Sequence, residues 1–567
     1  MRLGNQFEPD FAVPGPEPGV SGKTKKWRKG MKRLIILSVL IPVFAIAFGA
    51  CGGEKVKTDY DVVIIGAGGG GMAAGARLSL AGKKVLIIDK NEKVGGYMTN
   101  FKKGDYIFEV SLHALDGYNE GWFNRKVFEK LGIKDKVKPI KIEPVMYRAL
   151  YPDFTVEIPT DINKYIAMLK NMFPQETDGI DRLFNTLDKI QTAMDCAMYF
   201  SNGEYGKGLW ASLTHFWSFY TMAKYWDSTL TGFLADYVKD EKLISMITQL
   251  TGLLGDGPDK ISGVVFAAAL NQYHKGGYYY FDGSGEGGGA HAIIKSLEEV
   301  IRANGGTILL KTLAAKIIIK DGKAEAVQTA DGRKFTCKYV ISNSDARNTV
   351  YNLMGREYFT EKYLAALDKM RPGISCFVVY LGVKHDYRSL YPKGTHNILQ
   401  NISNNAIESY KYIREGNVDK MPFALLNFSC IDKVAPDGKN VLNLTTVMPY
   451  DWHNGWEYND KAKYEALKKE TAMKLVKRAE KILPDLTKYI EVMEIFTPKT
   501  LEAYTLNYKG AILGWDNDVD QVMMNRLPQE TAIPNVFLAG AWTFPSGGQS
   551  TVLVSGMMAA DKILGDM

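Results

Sequence analysis

Two short runs of β-branched and aliphatic residues near residue 60 flank a stretch made mostly of small residues. Residues 62–65 and 84–88 are almost continuously apolar and each long enough for one strand, as is typical of buried parallel strands. Residues 72–81 between them are rich in alanine and glycine, which favours a helix packed closely on a sheet. The pattern therefore predicts a strand, a turn, a helix and a second strand.

The predicted turn carries the spacing G-x-G-x-x-G at Gly66, Gly68 and Gly71. The first glycine permits a tight turn, the second lets a pyrophosphate approach the backbone, and the third lets helix and sheet pack closely. The helix N-terminus adds free N–H groups and a positive dipole end. Asp89 ends the second strand, where a carboxylate can accept hydrogen bonds from ribose hydroxyls. Together these features predict an adenine dinucleotide site.

The rest of the chain alternates between helical and strand patterns. Residues 116–262 are predicted to be mostly helical, and the C-terminus is predicted as a strand, a glycine-rich loop and a helix. Amphipathic helices are predicted at 290–304 and 460–482, strands at 106–110, 375–383 and 440–447, and hairpin turns at Asp321-Gly322 and Asp331-Gly332.

Residues 209–226 are unusually rich in tryptophan, phenylalanine and tyrosine and carry little charge. Two interpretations are equally favoured. The segment is either a buried core helix or a surface that faces a membrane or lines a substrate site.

Composition and charge narrow the possible partners. The chain has 567 residues, 46% of them hydrophobic, which allows a large core and several domains. The net charge is +7, but residues 1–50 hold eight Lys/Arg against three Asp/Glu, so +5 lies there and only +2 in the remainder. This balance argues against a nucleic-acid surface. The five scattered cysteines and seven histidines lack metal-ligand spacing, so neither a metal site nor a disulfide framework is predicted.

The N-terminal segment has the layout of an export signal. An apolar run at 34–50 follows a basic stretch and precedes Cys51. Phe48-Gly49-Ala50-Cys51 resembles a bacterial lipoprotein signal, in which the cysteine is lipidated. The alternative is a single-span anchor, because the run is near the lower length limit for crossing a bilayer. We therefore expect a signal peptide or anchor at 1–50, a linker at 51–58, and a body tethered to a membrane outside the cytoplasm.

Three separated segments are similar to one family. The first is residues 61–89 with Gly95-Gly96. The second is YYYFDGSGEGGGAHAIIKSLEEVIRANGGTILL from residue 278, followed by VISN at 340–343. The third is EAYTLNYKGAILGWDND from residue 502, followed by PNVFLAGAWTFPSGGQSTVLVSGMMAA from residue 534. Together they resemble the phytoene desaturase, carotenoid isomerase and retinol saturase group of FAD-dependent oxidoreductases, within the flavin amine oxidase-like superfamily.

The resemblance implies an α/β fold, with a Rossmann-like FAD-binding domain of the glutathione-reductase type. It also implies a discontinuous α+β substrate domain, with an antiparallel sheet and a helical, aromatic-rich section. The FAD-binding domain would comprise residues 59–115, 283–350 and 525–567, and the substrate domain 116–282 and 351–524. The implied cofactor is FAD, contacted by Gly66, Gly68, Gly69, Gly71, Asp89, Lys90, Gly96, Ala315, Gly540, Ala541, Gly548, Thr551 and Val552.

The implied activity is redox chemistry on a carbon–carbon double bond of a hydrophobic polyene or unsaturated lipid. The motif FEVSLH at 108–113 looks most like the retinol saturase branch, so reduction is favoured, with His113 as candidate proton donor. Tyr504 is the second catalytic candidate and Glu286 a third. Desaturation and cis-trans isomerisation are alternatives within enzymes. A lipid or prenyl carrier without redox chemistry, as in the Rab GDP-dissociation inhibitors, is an alternative of another class. The expected partners are a hydrophobic small molecule, a membrane surface, and an electron donor or acceptor that the sequence does not name.

Overall fold

The protein was analysed as a computed structural model that describes residues 58–111, 114–201 and 204–565. The predicted signal peptide or anchor, Cys51 and His113 lie outside the described residues. The strands are β1 (Tyr60–Ile65), β2 (Val85–Ile88), β3 (Asn100–Lys103), β4 (Tyr106–Glu109), β5 (Leu115–Asp116), β6 (Pro139–Lys141), β7 (Val145–Leu150), β8 (Thr155–Pro159), β9 (Tyr278–Phe281), β10 (Thr307–Leu309), β11 (Ala314–Lys320), β12 (Lys323–Thr329), β13 (Lys334–Ser342), β14 (Ser375–Val383), β15 (Asn397–Gln400), β16 (Phe423–Asn427), β17 (Asn440–Met448), β18 (Ile490–Phe496) and β19 (Val536–Leu538).

Helices occur throughout the described chain, and the longest of them are at Thr177–Ser201, Lys461–Ala479 and Gln549–Leu564. They are α1 (Gly69–Leu80), α2 (Phe123–Lys130), α3 (Ile162–Met172), α4 (Thr177–Ser201), α5 (Tyr205–Thr214), α6 (Phe216–Tyr225), α7 (Leu230–Leu234), α8 (Glu241–Ile247), α9 (Gly263–His274), α10 (Ala290–Ala303), α11 (Ala346–Asn348), α12 (Glu361–Lys369), α13 (Ala406–Arg414), α14 (Lys461–Ala479), α15 (Leu486–Tyr489), α16 (Pro498–Thr505) and α17 (Gln549–Leu564).

The first large sheet holds the predicted strand–helix–strand unit at its centre. Its order is β10-β2-β1-β13-β12-β11, and β19 also pairs with β13. The pairings β10–β2, β2–β1, β1–β13 and β13–β19 are parallel, whereas β11, β12 and the first half of β13 form an antiparallel meander. Val63 of β1 lies opposite Leu86 on one side and Val340 on the other. The sheet therefore joins strands that are hundreds of residues apart.

Both faces of this parallel sheet are buried, which explains the nearly continuous apolar runs of its strands. Alternate side chains of β1 enter two different cores. Val62 and Ile64 belong to the core that also contains residues of α1, α10 and α17. Val63 belongs to the core on the opposite face, together with Val327 and Trp515.

The second large sheet has the order β18-β14-β17-β16-β15-β7-β8. Its neighbours are antiparallel except for the parallel pair β15–β7. Residues of β14 alternate between two cores. Phe377 and Val379 pack with residues of α14, and Val378 and Tyr380 pack with residues of α3, α4 and α9. Two small sheets, β3–β4 and β5-β9-β6, complete the described strands. The mixed α/β fold with a second, antiparallel sheet is thus confirmed, whereas the domain boundaries stay a prediction.

Two predictions of local structure need correction. Residues 116–262 were predicted to be mostly helical, but before residue 162 only α2 is a helix among the described residues, and β6, β7 and β8 occupy much of residues 139–159. Strand β7 pairs with the next strand, β8, and also with β15, about 250 residues further along the chain. Helix α1 begins at Gly69, three residues before the predicted start. The Asp321-Gly322 turn is confirmed between β11 and β12, with positive φ at both residues.

None of the described helices is both long and apolar enough to cross a membrane.

Candidate cofactor and substrate site

Helix α1 begins with an N-terminus that no side chain caps. Its N-cap is Gly68, which has extended backbone angles, and its first turn contains no acidic residue. Gly66 has φ +96°, a conformation that favours glycine. A Cβ atom placed on Gly71 would lie 2.0 Å from the carbonyl oxygen of Gly66. The backbone amides at the start of α1 are therefore left to bind an anion.

Asp89 lies at the end of β2, close to this helix start. Its carboxylate accepts hydrogen bonds from the N–H of Ala67 at 2.8 Å and of Asn91 at 2.7 Å. Burial raises the pKa of Asp89, and these two backbone bonds oppose the rise. The Asp89 carboxylate is therefore held beside the glycine turn. One of its two hydrogen-bond donors, the N–H of Ala67, belongs to that turn.

A second helix with a glycine at its N-cap starts close to α1 in space, although it lies near the other end of the chain. Gly548 is the N-cap of α17, with φ +117° and no capping side chain. Gly556 in this helix packs directly on α1, since a Cβ atom there would lie 2.0 Å from the carbonyl oxygen of Gly70. The N–H of Gly540, in the loop before α17, donates to the Ser555 hydroxyl at 3.0 Å. Two helices with uncapped N-termini thus pack against each other.

Asn343 joins these two parts of the site. It follows β13, and its N–H donates to the carbonyl oxygen of Ile65 at 2.8 Å. Cβ atoms placed on Gly70 and Gly540 would lie 2.6 Å and 2.3 Å from its side-chain oxygen. The sequence-based prediction did not include Asn343 as a site residue. Asn343 directly follows a buried parallel strand, as Asp89 does. Because the ends of such strands meet at one edge of a sheet, this position could have identified Asn343 as a site residue.

Arg526 anchors the loop that precedes α17. Its guanidinium donates to the carbonyl oxygens of Ala541 at 3.0 Å and of Trp515 at 2.8 Å. It also bonds the carbonyl oxygen of Asp516 and the side chain of Asn517. Burial lowers the pKa of Arg526 to about 10. Since its contacts are mostly to backbone carbonyls 10 to 15 residues away, no short sequence motif identified this residue.

A cluster of aromatic rings lies beside the segment that approaches α17. Phe101 stacks on Phe108 and on Phe496 with ring centroids 5.0 Å and 5.4 Å apart. Tyr380 meets these three rings edge-on, and its hydroxyl donates to the carbonyl oxygen of Val110 at 3.2 Å. One residue later, the Ser111 hydroxyl accepts a hydrogen bond from Gln549, the first residue of α17, at 3.1 Å. An apolar wall therefore leads to the start of this helix.

A family profile decides what this arrangement binds. The profile described as flavin containing amine oxidoreductase matches residues 70–564. The chain belongs to this family. The flavin-containing family and its neighbours establish FAD as the cofactor and an oxidoreductase as the class of protein. The carrier interpretation is accordingly disfavoured.

Curated relatives of this flavin family cover nearly the whole chain. Prolycopene isomerase from Arabidopsis thaliana is 25% identical over 557 residues, which is 96% of this chain and 89% of the relative. All-trans-retinol 13,14-reductase from Homo sapiens is 26% identical over 579 residues, again 96% of this chain and 89% of the relative. The resemblance to carotenoid isomerases and retinol saturases is thereby confirmed.

Solved structures show the same fold at lower identity. An oxidoreductase from Methanosarcina mazei is 18% identical with a TM-score of 0.57, covering 89% of this chain and 100% of the other. Cyclohexylamine oxidase from Brevibacterium oxydans is 15% identical with a TM-score of 0.54, covering 89% and 99%. These similarities confirm the amine oxidase fold alone.

The observed residues fit FAD as this family requires it. The two N-termini of α1 and α17, which no side chain caps, offer backbone amides to anionic groups, and the glycines between them let the surrounding chain pack closer than a Cβ atom would allow. Gly96 lies against Gly68, with 3.4 Å between a Cβ atom placed on it and the Gly68 Cα. Val552 approaches Gly69 from α17 at 3.0 Å by the same measure.

The remaining predicted FAD contacts are placed as follows. Thr551 lies in the first turn of α17 and donates its hydroxyl hydrogen to the Gly548 carbonyl at 3.0 Å. Lys90 points to the carbonyl oxygen of Ala503, at 2.8 Å. Ala315 is exposed in β11, three residues after Thr312, whose N–H donates to the Asp89 carbonyl. The role of each predicted residue as an FAD contact stays a prediction.

The catalytic candidates have very different positions. Tyr504 is 59% exposed, and its carbonyl oxygen accepts a hydrogen bond from Asn91 at 3.1 Å. Glu286 is exposed and forms an ion pair with Lys295. His113 lies outside the described residues, but Ser111 before it and Asp116 after it both bond residues of the first turn of α17. The described residues Ser111 and Asp116 are therefore both held beside this helix.

Proposed function

We propose that this protein is an FAD-dependent oxidoreductase that acts on a carbon–carbon double bond of a hydrophobic polyene or unsaturated lipid, with reduction favoured over desaturation and isomerisation. The observation that carries the proposal is that the N-termini of α1 and α17, each with a glycine at the N-cap, meet beside the aromatic rings of Phe101, Phe108 and Phe496. The relatives named for retinol and prolycopene supply the substrate class. Their identities to this chain are almost equal, so identity does not choose between reduction and isomerisation.

The protein's contribution is binding, orientation and exclusion of water. Amides at the starts of α1 and α17 would hold anionic groups of the cofactor, and Asp89 would offer a carboxylate next to them. The rings of Phe101, Phe108 and Tyr380 pack into an apolar core beside this site, and Phe108 and Tyr380 are fully buried, so this side of the site excludes water. When bound, the cofactor in its reduced form would supply the two electrons that a double bond gains on reduction, and in its oxidised form it would accept the two electrons that the substrate loses on desaturation.

Reduction also needs a proton at the second carbon atom, and His113 is the proposed donor. The residues on either side of it are held at the start of α17 through Ser111 and Asp116. An imidazole changes its protonation near neutral pH, so it can donate a proton at this place. Tyr504 is the weaker candidate, because more than half of it is exposed to solvent.

The substrate class can be tested by product analysis. The full-length protein should purify with bound FAD and, after anaerobic chemical reduction, should convert a retinoid or carotenoid to a product with two more hydrogens. A product with unchanged hydrogen count would favour isomerisation, and one with fewer hydrogens, formed by the oxidised protein, would favour desaturation. A flavin-free protein would contradict the whole proposal.

The role of His113 can be tested separately from cofactor binding. We expect His113→Ala to lower the single-turnover rate by about 100-fold, within the range typical of general acid catalysis. The FAD content and flavin absorbance should remain those of the wild type. His453→Ala, a change at an exposed histidine far along the chain, is the matched control. An unchanged rate in His113→Ala would remove this residue from the mechanism.

We further propose that the enzyme is tethered to a membrane outside the cytoplasm through residues 1–51. The supporting features are the apolar run at 34–50 and the cysteine that follows it. Its electron partner would then be a quinone or an exported redox carrier. Cys51→Ser should abolish incorporation of a radiolabelled fatty acid if the segment is a lipoprotein signal. Labelling that persists in this variant would contradict lipidation at Cys51.

A further inference from the structure

Helices α5 and α6 expose a group of large aromatic side chains that has no partner among the described residues. The rings of Tyr205, Trp210, Phe216, Trp217 and Tyr220, here named the aromatic patch, are between 45% and 69% exposed. At roughly 200 Å² per aromatic side chain, they leave about 600 Å² of surface in water. That is at the upper end of the apolar patches seen on soluble proteins, and such patches mark interaction sites.

The patch has an ordered base, because the opposite faces of both helices are buried. On α5 the buried residues are Gly208 and Ala211, and on α6 they are Ser218 and Tyr225. These faces pack on α4 and α9. Trp217 contacts both Phe216 and Tyr220 through its ring, at centroid distances of 5.5 Å and 5.9 Å. Exposed Leu209 and Leu213 extend the apolar face of α5. The interpretation of residues 209–226 as a buried core helix is therefore wrong.

The mixture of residues suits a lipid surface. Tryptophan and tyrosine have apolar rings with one polar group each, which places them where hydrocarbon meets headgroups. Each helix has only 10 residues, which suits a helix lying along a bilayer surface and is far too short to cross it.

The charges near the patch do not oppose a membrane. Residues 205–226 contain two lysines, Lys207 and Lys224, and no acidic residue. Lys207 pairs with Glu204, and Lys224 with Asp236 at 2.9 Å. These exposed pairs contribute little energy, so the lysines can turn to lipid phosphates at small cost.

The chain before Thr58 points to the same occupant. It carries the apolar run at 34–50, which is proposed above to hold the protein at a membrane. A body held there by its N-terminus meets lipid at high local concentration, and a second weak contact then adds to the first.

We infer that α5 and α6 form a second membrane contact, in which the aromatic patch enters the headgroup region of the bilayer. The choice of lipid as occupant rests on the tether proposed above. With two contacts the body is held in one orientation on the membrane, rather than moving freely at the end of a linker.

The test uses the full-length protein in a Trp27→Phe background, so that the tether carries no fluorescent tryptophan. The protein is mixed with phosphatidylcholine–phosphatidylglycerol vesicles with and without brominated acyl chains, which quench nearby tryptophans. We expect quenching in this protein. Adding Trp210→Phe and Trp217→Phe keeps aromatic rings in the patch but removes its reporters, and should lower the quenched fraction about twofold or more. Trp452→Phe, a change at a half-buried ring elsewhere, is the matched control and should leave that fraction unchanged.

Vesicle flotation separates this inference from the proposed tether. If the protein floats with vesicles but the double variant retains the quenched fraction, the tether stands and the patch contact is wrong. If the protein does not float at all, both are wrong. Hydrogen exchange of residues 205–225 gives a second measurement, and it should slow when vesicles are added. Slow exchange without vesicles would overturn the inference, because it would mean that something other than lipid covers the patch. The cover would be a second copy of the chain if the slow exchange depends on protein concentration, and residues 34–50 if it does not.

Discussion

Individual glycines are required in the cofactor site because main-chain atoms of neighbouring residues occupy the position that a Cβ atom would take. Such main-chain atoms cannot move away easily. Gly71 is the sharpest case, since a Cβ atom there would lie 2.0 Å from the Gly66 carbonyl oxygen. We expect Gly71→Ala to push the start of α1 away from β1 and to weaken FAD binding at least tenfold. The flavin absorbance of the purified protein and FAD titration of the apoprotein measure the effect.

Gly75→Ala is the matched control for this change, because it adds the same methyl group to the same helix. Its Cβ atom would meet the side-chain ends of Ile87 and Ile301, at 2.6 Å and 3.2 Å, and these can rotate. We expect a loss of about 1 to 3 kcal/mol of stability from overpacking, with FAD still bound. Equal FAD binding in the two variants would show that the close approach at Gly71 is not needed for the cofactor.

His274 makes the stability of the protein sensitive to mild acid. The ring is buried, stacks on Tyr165 at 4.6 Å, and donates from Nδ1 to the Thr160 carbonyl oxygen at 3.2 Å. Burial lowers its pKa to about 4, from an ordinary value of 6.5. The unfolded chain therefore binds a proton between these values that the folded protein does not. The His274 contribution is complete above pH 6.5 and is lost as the pH falls towards 4, by about 3 kcal/mol.

The measurement is the free energy of unfolding in urea between pH 6.5 and 4 for the wild type and for His274→Phe. Phenylalanine keeps the ring stacking but does not titrate. Wild type should lose about 3 kcal/mol more than the variant over this range. Parallel pH profiles would exclude His274 as a source of the acid sensitivity.

At the scale of helices and strands, the sequence was informative where the partners are near in the chain. The unit β1–α1–β2, the strand β14 and the hairpins after β11 and β12 follow from local patterns. Strands β7 and β8 are an exception, because they were missed although they pair with each other as neighbours in the chain; β7 joins the rest of the sheet through β15, about 250 residues later. The exposure of α5 and α6 could not be predicted either, since the same aromatic composition suits a core and a lipid surface.

The loop before α17 depends on a long-range contact that no periodicity reveals. Arg526 joins Ala541 to residues 515–517 through four hydrogen bonds from its guanidinium group. A lysine has a single side-chain nitrogen and cannot make all of these bonds. We expect Arg526→Lys to loosen this loop, to weaken FAD binding about tenfold, and to destabilise the protein by about 2 to 4 kcal/mol. Titration with FAD and urea unfolding measure the two effects.

Arg371→Lys is the control for this loop. Arg371 bonds the carboxylates of Asp516, Asp518 and Asp520, so it contacts the same segment near residue 516, but these bonds do not include Ala541 and its side chain is 46% exposed. Exposed ion pairs contribute little, so we expect a loss of less than about 1 kcal/mol and nearly unchanged FAD binding. If both variants bind FAD equally weakly, the backbone contacts of Arg526 have no special role.

At the scale of the whole molecule, the cofactor site exists only when both ends of the described chain are in place. Residues 60–96 supply α1 and Asp89, and residues 536–564 supply β19 and α17. Between them, β13 and Asn343 connect the two ends through the same sheet. The sequence motifs at each end were recognisable alone, but their contact depends on strand pairings that span almost 500 residues.

Because FAD binds only this assembled state, it should stabilise the entire fold. A free FAD concentration 100-fold above the dissociation constant adds about 2.7 kcal/mol to the free energy of unfolding, so the Tm of the apoprotein should rise with FAD concentration. Gly71→Ala at one end and Gly556→Ala at the other, where a Cβ atom would lie 2.0 Å from the Gly70 carbonyl oxygen, should each cut this rise to about half or less. Val441→Ala in the second sheet should lower the Tm of the apoprotein by its cavity cost and keep the rise. Differential scanning calorimetry with increasing FAD measures all four proteins. A full FAD-dependent rise in Gly556→Ala would mean that the contact between α1 and α17 is not required, and that one end of the chain binds FAD alone.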